Sequence, residues 1–452
     1  MSQFRPYTIS HIQLASVNKI DNPKGNALLY FWWKTIPLGH VWVDSRNRWT
    51  DSILKKKIAD SIFTAARYYI GGNANEVYRR ISSYVNHDRF SALAGCLERH
   101  LSTYLFRGSP QHKATPISVV ICTRNRPHQI ETCIQSLLES SDKNFELIVV
   151  DNNPDNDLTN KVVSKYAGVR YILEPRKGLD IARNTGAQNA SYSIVAYTDD
   201  DVVIDKDWVR NIKCCFRNPK TMAVTGLVMP VVLNEWSQYV FERHWGFNKG
   251  YKPTTFDRNF FNKHRSVGVP VWDIGAGANM AFRKEVFDLV GLFDERLDVG
   301  AAGCSGDSEF WYRILAEGWH CEYHPQLVAY HQHRESTEAL YSQIFNYMRG
   351  QVASVMVQYE NYGHSGDLKR VTKLLPRYYS RRIWNVIRCL HHGISDRNKT
   401  LITEIKGCIS GYKFYKKVQA PQPIQAKALK PSNHLNKISS HHELRTYTIP
   451  AA

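Results

Sequence analysis

The sequence predicts a doubly wound α/β sheet, preceded by a small α+β module and followed by a helical extension. Three observations predict it. Short apolar runs recur at residues 117–121, 145–150 and 194–197, as strands buried on both faces of a parallel sheet require. Stretches of helical spacing separate or follow them, at 129–140, 159–166 and 178–189, and such alternation marks strands joined by helical crossovers. The runs then end on polar or charged groups: Thr123 to Arg126, Asp151, and the triplet Asp199, Asp200, Asp201. Ligands of these sheets sit outside the carboxyl ends of the strands, so the topology gathers those side chains at one edge.

At 452 residues the chain has room for two to three domains, and 43% hydrophobic residues supply a real core. Residues 1–110 read as an accessory α+β module. Strand-like runs lie at 7–14, 28–33 and 41–43, and Gly25-Asn26 and 37–39 punctuate them. Helical spacing follows over 51–70, with Asp51 a candidate cap, and again over about 76–104. Nothing in this module suggests chemistry, and its expected job is support or partner docking. The polar, proline-containing 107–116 reads as a linker. The α/β domain spans 115–345, with a third strand at 169–173. A basic helical extension covers 346–420, and 421–452, rich in Pro, Lys, Ser and His, is expected to be disordered.

Asp199, Asp200 and Asp201 repel one another, while apolar flanks pull them inward. A divalent cation offsets that charge, and hard oxygen ligands suit Mg²⁺ or Mn²⁺. The plain alternative is an Asx-rich turn whose acids cap a helix over 207–216. No Gly-x-Gly-x-x-Gly follows the first strand and no phosphate loop of Walker type occurs, so neither NAD nor ATP is expected in those modes. Asp307 and Glu309 open a helix over 308–318, where acids commonly serve as caps.

The segments ISVVICTRNRP, ELIVVDNNP, RKGLDIARNTGAQNA and IVAYTDDD resemble the nucleotide-sugar-binding half of family 2 glycosyltransferases, which have the GT-A fold. DIGAGANMAFRKEVFDLVGLFDE and GDSEFWYRILAEGW, with YHPQLVAYHQHR, resemble their acceptor half. The likeness runs from about residue 117 to 334, in the family's order. It implies nucleotide-sugar contacts from Thr123, Arg126 and Asp151, and from Asp180, Arg183 and Asn184 at a helix N-terminus that favours phosphate. Asp180 stands where a small polar residue is also common. The triplet matches the Asp-x-Asp element, implying that Asp201 and Asp199 hold the cation, with Asp200 beside the donor and His331 near the metal or diphosphate. Trp272, Asp273, Gly275, Gly277 and Asn279 fall in the acceptor loop, and Arg313 and Trp319 continue the pattern. The family's acid pair has lost its first member to Gly306, which leaves Asp307 as the implied general base and Glu309 as the second candidate.

The resemblance implies an inverting, metal-dependent transfer of a sugar from a nucleotide-diphospho-sugar to a saccharide or lipid-linked hydroxyl, in cell-surface polysaccharide or glycoconjugate synthesis. The formal charge of +18 points to acidic partners. Residues 373–390 interleave Tyr, Ile, Trp and Leu with Arg, as an interfacial helix on an anionic membrane does; a packed helix with a solvated basic face is the alternative. Nucleic acid is disfavoured, because strand-end carboxylates repel a phosphate backbone. A sugar-1-phosphate nucleotidyltransferase would want a glycine-rich loop after the first strand, and CTRNRP has none. Nine scattered cysteines and an N-terminus without an apolar core suit the cytoplasm, with peripheral attachment at the membrane face.

Overall fold

The computed structural model describes residues 4–105, 115–388 and 395–418. Two sheets form within them. In the first, β1 (Tyr7–Gln13) is parallel and β3 (Ile36–Val43) antiparallel to β2 (Asn26–Trp33). The second comprises β4 (Ile117–Thr123), β5 (Phe145–Asn152), β6 (Val169–Glu174), β7 (Ile194–Asp199), β8 (Val202–Ile204), β9 (Thr221–Pro230), β10 (Thr254–Phe256), β11 (Asn279–Arg283) and β12 (His320–His331). Its order is β10-β12-β9-β11-β7-β4-β5-β6, with β8 paired to β12. Strands β4 to β7 pair in parallel, whereas β11 enters antiparallel between β7 and β9, so the sheet is mixed.

The period of two along each strand decides the packing. Val120, Ile148, Val150 and Val195 enter one apolar cluster, with Ala182 and Phe310 from helices. Val119, Ile121, Leu147 and Val149 enter another, with Ile130 and Trp208. Helices therefore cover both faces, and each fully buried Val, Ile or Leu contributes about 1.5–3 kcal/mol. The first of these helices, Pro127–Leu138, starts earlier than the spacing predicts because Pro127 takes the first turn, where its fixed φ is already helical.

The N-terminal sheet packs on three helices. Asp51–Ile70 is capped by Thr50, whose Oγ1 accepts from Ile53 N at 3.3 Å; Asp51 instead pairs with Lys55 at 3.0 Å. The single pattern expected over 76–104 divides into Ala74–Asn86 and Phe90–Leu101, with Asp88 between them in the left-handed region (φ 54°). The module is fastened to the second sheet's domain. Tyr7 N donates to Leu233 O at 3.0 Å, the Tyr7 ring stacks on Tyr239 at 5.0 Å, and Gln326 Nε2 donates to Tyr104 O at 3.0 Å.

After the sheet, the long helix Thr337–Tyr362 packs against Leu401–Lys417. Glu404, buried on the latter, accepts from Arg382 at 2.7 Å, Thr400 at 2.7 Å, Tyr379 at 3.2 Å, and Arg397. The helix Leu375–Arg388 buries Tyr379 against this cluster and leaves Ile383, Trp384 and Ile387 exposed at 41%, 60% and 54%. Residues 389–390 of the expected basic helix, most of the 107–116 linker and the 421–452 tail lie outside the described residues. Among the described residues no helix is long and apolar enough to cross a membrane.

Candidate active site

Strand register assembles the acids. Thr123 lies opposite Asp151 in the β4–β5 ladder, and Cys122 opposite Asp199 between β4 and β7. The chain turns at Asp200 and Asp201 into β8, whose antiparallel pairing sets Val202 opposite His331. His331 therefore arrives beside the triplet from 130 residues downstream in sequence. One ligand atom each from Asp199, Asp201 and His331 lie within 4.8 Å of one another. Two carboxylates and an imidazole suit a divalent cation with oxygen and nitrogen preferences.

The three acids do different things. Asp200 is buried and turned inward: Oδ2 accepts from Thr123 Oγ1 at 2.7 Å and Oδ1 from Arg126 Nη1 at 2.8 Å. Arg126 also reaches Asp201 at 3.1 Å, and His331 Nε2 reaches Asp201 Oδ1 at 3.2 Å. Burial raises Asp201, but His331, Arg126 and Arg334 outweigh it and hold the carboxyl well below its usual range. Burial, and then repulsion from Asp201, push Asp199 up to about 6. A dication would relieve that repulsion. Behind the imidazole, His331 Nδ1 shares a hydrogen bond with His333 Nδ1 at 3.0 Å, and His333 Nε2 meets Glu242 at 2.9 Å. Such outer partners fix a ligating ring in place.

A cavity of about 1500 Å³ opens over these groups. Its walls include Asp199, Asp200, Asp201 and His331, together with Arg183, Asp298 and Asp307. Arg183 is buried and bridges Asp180 at 2.9 Å and Asp298 at 2.7 Å. The loop Gly275-Ala276-Gly277-Ala278 passes close by: a Cβ on Gly277 would stand 2.8 Å from Arg183 Nη2 and 3.1 Å from Asp307 Oδ2. Asp307 Oδ1 accepts from Ser308 N at 2.6 Å. Burial and the nearby Asp298 raise the Asp307 carboxyl, which strengthens it as a base at neutral pH.

Several residues expected at the site are held away from the cavity. Glu309 is fully buried and clamped by Arg313 at 3.0 and 2.9 Å; Arg313 also donates to Leu292 O at 2.8 Å. The i to i+4 spacing on one helix explains the pair, which anchors the 290–292 turn. Neither lines the cavity. Asn184 clasps Phe293 through both backbone groups, at 3.0 and 2.9 Å. Asn279 accepts from Trp208 at 2.8 Å and donates to Leu227 O and Leu327 O, tying β11 to its neighbours. Trp319 packs on the main core. Asp151 is buried against the Tyr171 hydroxyl at 3.0 Å, and Asn152, next along β5, lines the cavity in its place. Asp180 is buried behind Arg183 and Asp273 points to solvent, so neither reaches the wall. Trp272 does, with Arg370 over its ring at 4.1 Å.

Other wall residues carried no sequence signal. His40 and Trp42 come from the N-terminal sheet, and Asn346 and Tyr347 from the long helix. Asp298, in the left-handed region (φ 58°), had one clue: it opens the glycine-containing stretch 298–303, and Asp tolerates that conformation better than most residues.

The family model described as glycosyl transferase family 2 matches residues 118–291. Residues 118–291 thus form a family 2 glycosyltransferase domain. Its mixed sheet, with acids at the end of β7 and helices on both faces, has the GT-A fold. Similar curated proteins include an uncharacterized glycosyltransferase of Rickettsia felis, 27% identical over 33% of this chain and 27% of that protein. The O-antigen biosynthesis protein RfbC of Myxococcus xanthus is 25% identical over 48% of this chain and 17% of its own length. A glucosyl-dolichyl phosphate glucuronosyltransferase of Haloferax volcanii is 23% identical over 39% of this chain and 56% of its own. The chain thus spans about a quarter, a sixth and a half of these three. Among solved structures, the mannosyltransferase PcManGT from Pyrobaculum calidifontis, in complex with GDP-Man and Mn2+, aligns at a TM-score of 0.44 and 14% identity, over 66% of this chain and 88% of that one. The comparisons support neither the nucleotidyltransferase nor the nucleic-acid alternative. The family 2 match ends before Asp298, Asp307 and His331, and the tertiary structure brings these to the same cavity as the triplet.

Proposed function

We propose that the protein is an inverting glycosyltransferase that moves a sugar from a nucleotide-diphospho-sugar to a hydroxyl of a saccharide or lipid-linked acceptor. The observation that carries this reading is that one cavity is walled by the Asp199, Asp201 and His331 cluster and by Asp307. The three ligands would hold Mg²⁺ or Mn²⁺, which when bound neutralises the charge growing on the departing nucleoside diphosphate. Arg126 and Asp200 keep Asp201 aimed at that place, and His333 and Glu242 keep His331 there. Asp307 takes the proton of the acceptor hydroxyl. The acceptor oxygen then bonds to the anomeric carbon from the face opposite the leaving phosphate, whose bond to that carbon breaks, and the configuration inverts.

The same reading places the protein in the cytoplasm, against the membrane, in polysaccharide or glycoconjugate synthesis. Its support is the helix Leu375–Arg388, where Ile383, Trp384 and Ile387 are exposed beside the exposed Arg377, Arg381 and Arg388. That is the pattern of an interfacial helix drawn to anionic lipid. Leu374, Leu375 and Tyr378 at its start also line the cavity, which suits an acceptor delivered from a lipid surface.

Thermal-shift measurements with UDP-, GDP- and dTDP-sugars, with and without Mn²⁺, test the reading. One donor is expected to raise the melting temperature only when metal is present, and Asp201→Ala is expected to abolish the shift. No shift with any donor, or one that Asp201→Ala leaves intact, would refute it.

A further inference from the structure

Helix Gly306–Ala316 opens on a residue without a side chain, directly before Asp307. The space that residue would fill is taken. An ideal Cβ on Gly306 would stand 1.9 Å from Asp180 Oδ2 and 2.5 Å from both Asp180 Cγ and Oδ1. The Gly306 backbone itself is ordinary, since its φ is not in the left-handed region, so any residue could adopt it. The three atoms nearest that position all belong to the Asp180 carboxyl. That carboxyl comes from the first turn of another helix, Leu179–Asn189, and is 1% exposed. Its Oδ1 is held by Arg183 Nη1 at 2.9 Å, while Oδ2 has no hydrogen-bond partner among the described residues.

We propose that Asp180 is a positioning residue that supplies, from the neighbouring helix, the carboxyl group for which position 306 has no side chain. Gly306 and Asp180 are then a reciprocal pair: the Asp180 carboxyl occupies the space that a side chain at 306 would need, so a carboxyl fits there from either position but not from both. Its effect on Asp307 passes through Arg183. The guanidinium is shared between Asp180 and Asp298, and its Nη2 and Asp307 Oδ2 converge over Gly277. With Asp180 in place, Arg183 is engaged away from Asp307, and Asp307 stays free to accept a proton. Without it, Arg183 turns to Asp307 and lowers its basicity. The groups that face Asp307 through space are Asp298, Arg183, Lys249, Cys304, Tyr347 and Asp180 itself. The role in turnover rests on the glycosyltransferase reading; the exchange of positions does not.

The test uses the full chain with Asp180→Ala, Gly306→Asp and the two combined. The first readout is release of nucleoside diphosphate from UDP-glucose, GDP-mannose and dTDP-glucose with Mn²⁺. Each single substitution is expected to lower kcat by about 10²-fold, with donor KM nearly unchanged, and the pair to regain at least about tenfold. The acid limb of kcat/KM is expected to move to lower pH in Asp180→Ala and to return in the pair, which a merely structural role would not produce. Wild-type turnover in Asp180→Ala, or a pair no better than the worse single variant, would overturn the proposal. If the wild-type chain releases nothing from any donor, the glycosyltransferase reading fails instead. The exchange is then decided by melting temperature: both single variants fall and the pair recovers, whereas additive losses would overturn it.

Discussion

Asp199→Asn is expected to stabilise the metal-free protein while destroying its response to metal. Burial and the neighbouring Asp201 raise the Asp199 carboxyl from 3.8 to about 6. Because the folded value lies above the unfolded one, its contribution to stability is present at low pH and is lost as pH rises through about 6. By pH 7.5, holding the group ionised costs about 3 kcal/mol. Asparagine has the same shape and no charge, so that cost disappears. Chemical denaturation at pH 7.5 in the presence of EDTA is therefore expected to show Asp199→Asn more stable than wild type by up to about 3 kcal/mol, and nearly equal to it at pH 4. Adding Mn²⁺ with UDP or GDP reverses the order, because wild type gains binding energy and the variant has lost one of three ligands. An Asp199→Asn protein that is less stable than wild type without metal at pH 7.5 would refute the electrostatic account. So would one that keeps its full Mn²⁺ response.

Three further outcomes separate the roles of neighbouring groups. Asp307→Asn is expected to lower kcat by about 10²–10⁴-fold while Mn²⁺-dependent nucleotide binding, measured by calorimetry, is retained. Glu309→Gln leaves the buried Arg313 without its counter-charge, and denaturation is expected to show a loss of about 3 kcal/mol or more, with nucleotide affinity of the folded protein unchanged. Trp384→Glu combined with Ile387→Glu is expected to weaken co-sedimentation with phosphatidylglycerol vesicles at least tenfold and to leave release of nucleoside diphosphate in solution intact. Equal sedimentation of the variant and wild type would remove the membrane face from the proposal.

Much of the fold was legible because period and composition are local. Before their polar ends, the runs that became β4, β5 and β7 are apolar at every buried position except Ser118. Helix ends were less legible. Thr50 rather than Asp51 caps its helix, and Asp88 interrupts a pattern that reads as continuous, since both turn on backbone angles that spacing does not specify. At the site, residue type alone misled where one polar side chain can serve either a ligand or the chain's own backbone. Asn184 and Asn279 both serve backbone groups, and Arg313 serves Glu309 and the 290–292 turn.

By itself, the sequence determined that acids would end a buried strand, that charge there needed an answer, and which family these segments resemble. It could not say which way each acid turns. Thr123 and Arg126 draw Asp200 inward, and the β8–β12 ladder carries His331 to Asp201; both depend on contacts between residues more than 70 positions apart. The same holds across the cavity, where Arg183 joins Asp180 to Asp298 and where the N-terminal sheet and the long helix supply walls. Strand composition is written in neighbouring residues, whereas the direction of a side chain is set by whatever distant part of the chain packs against it.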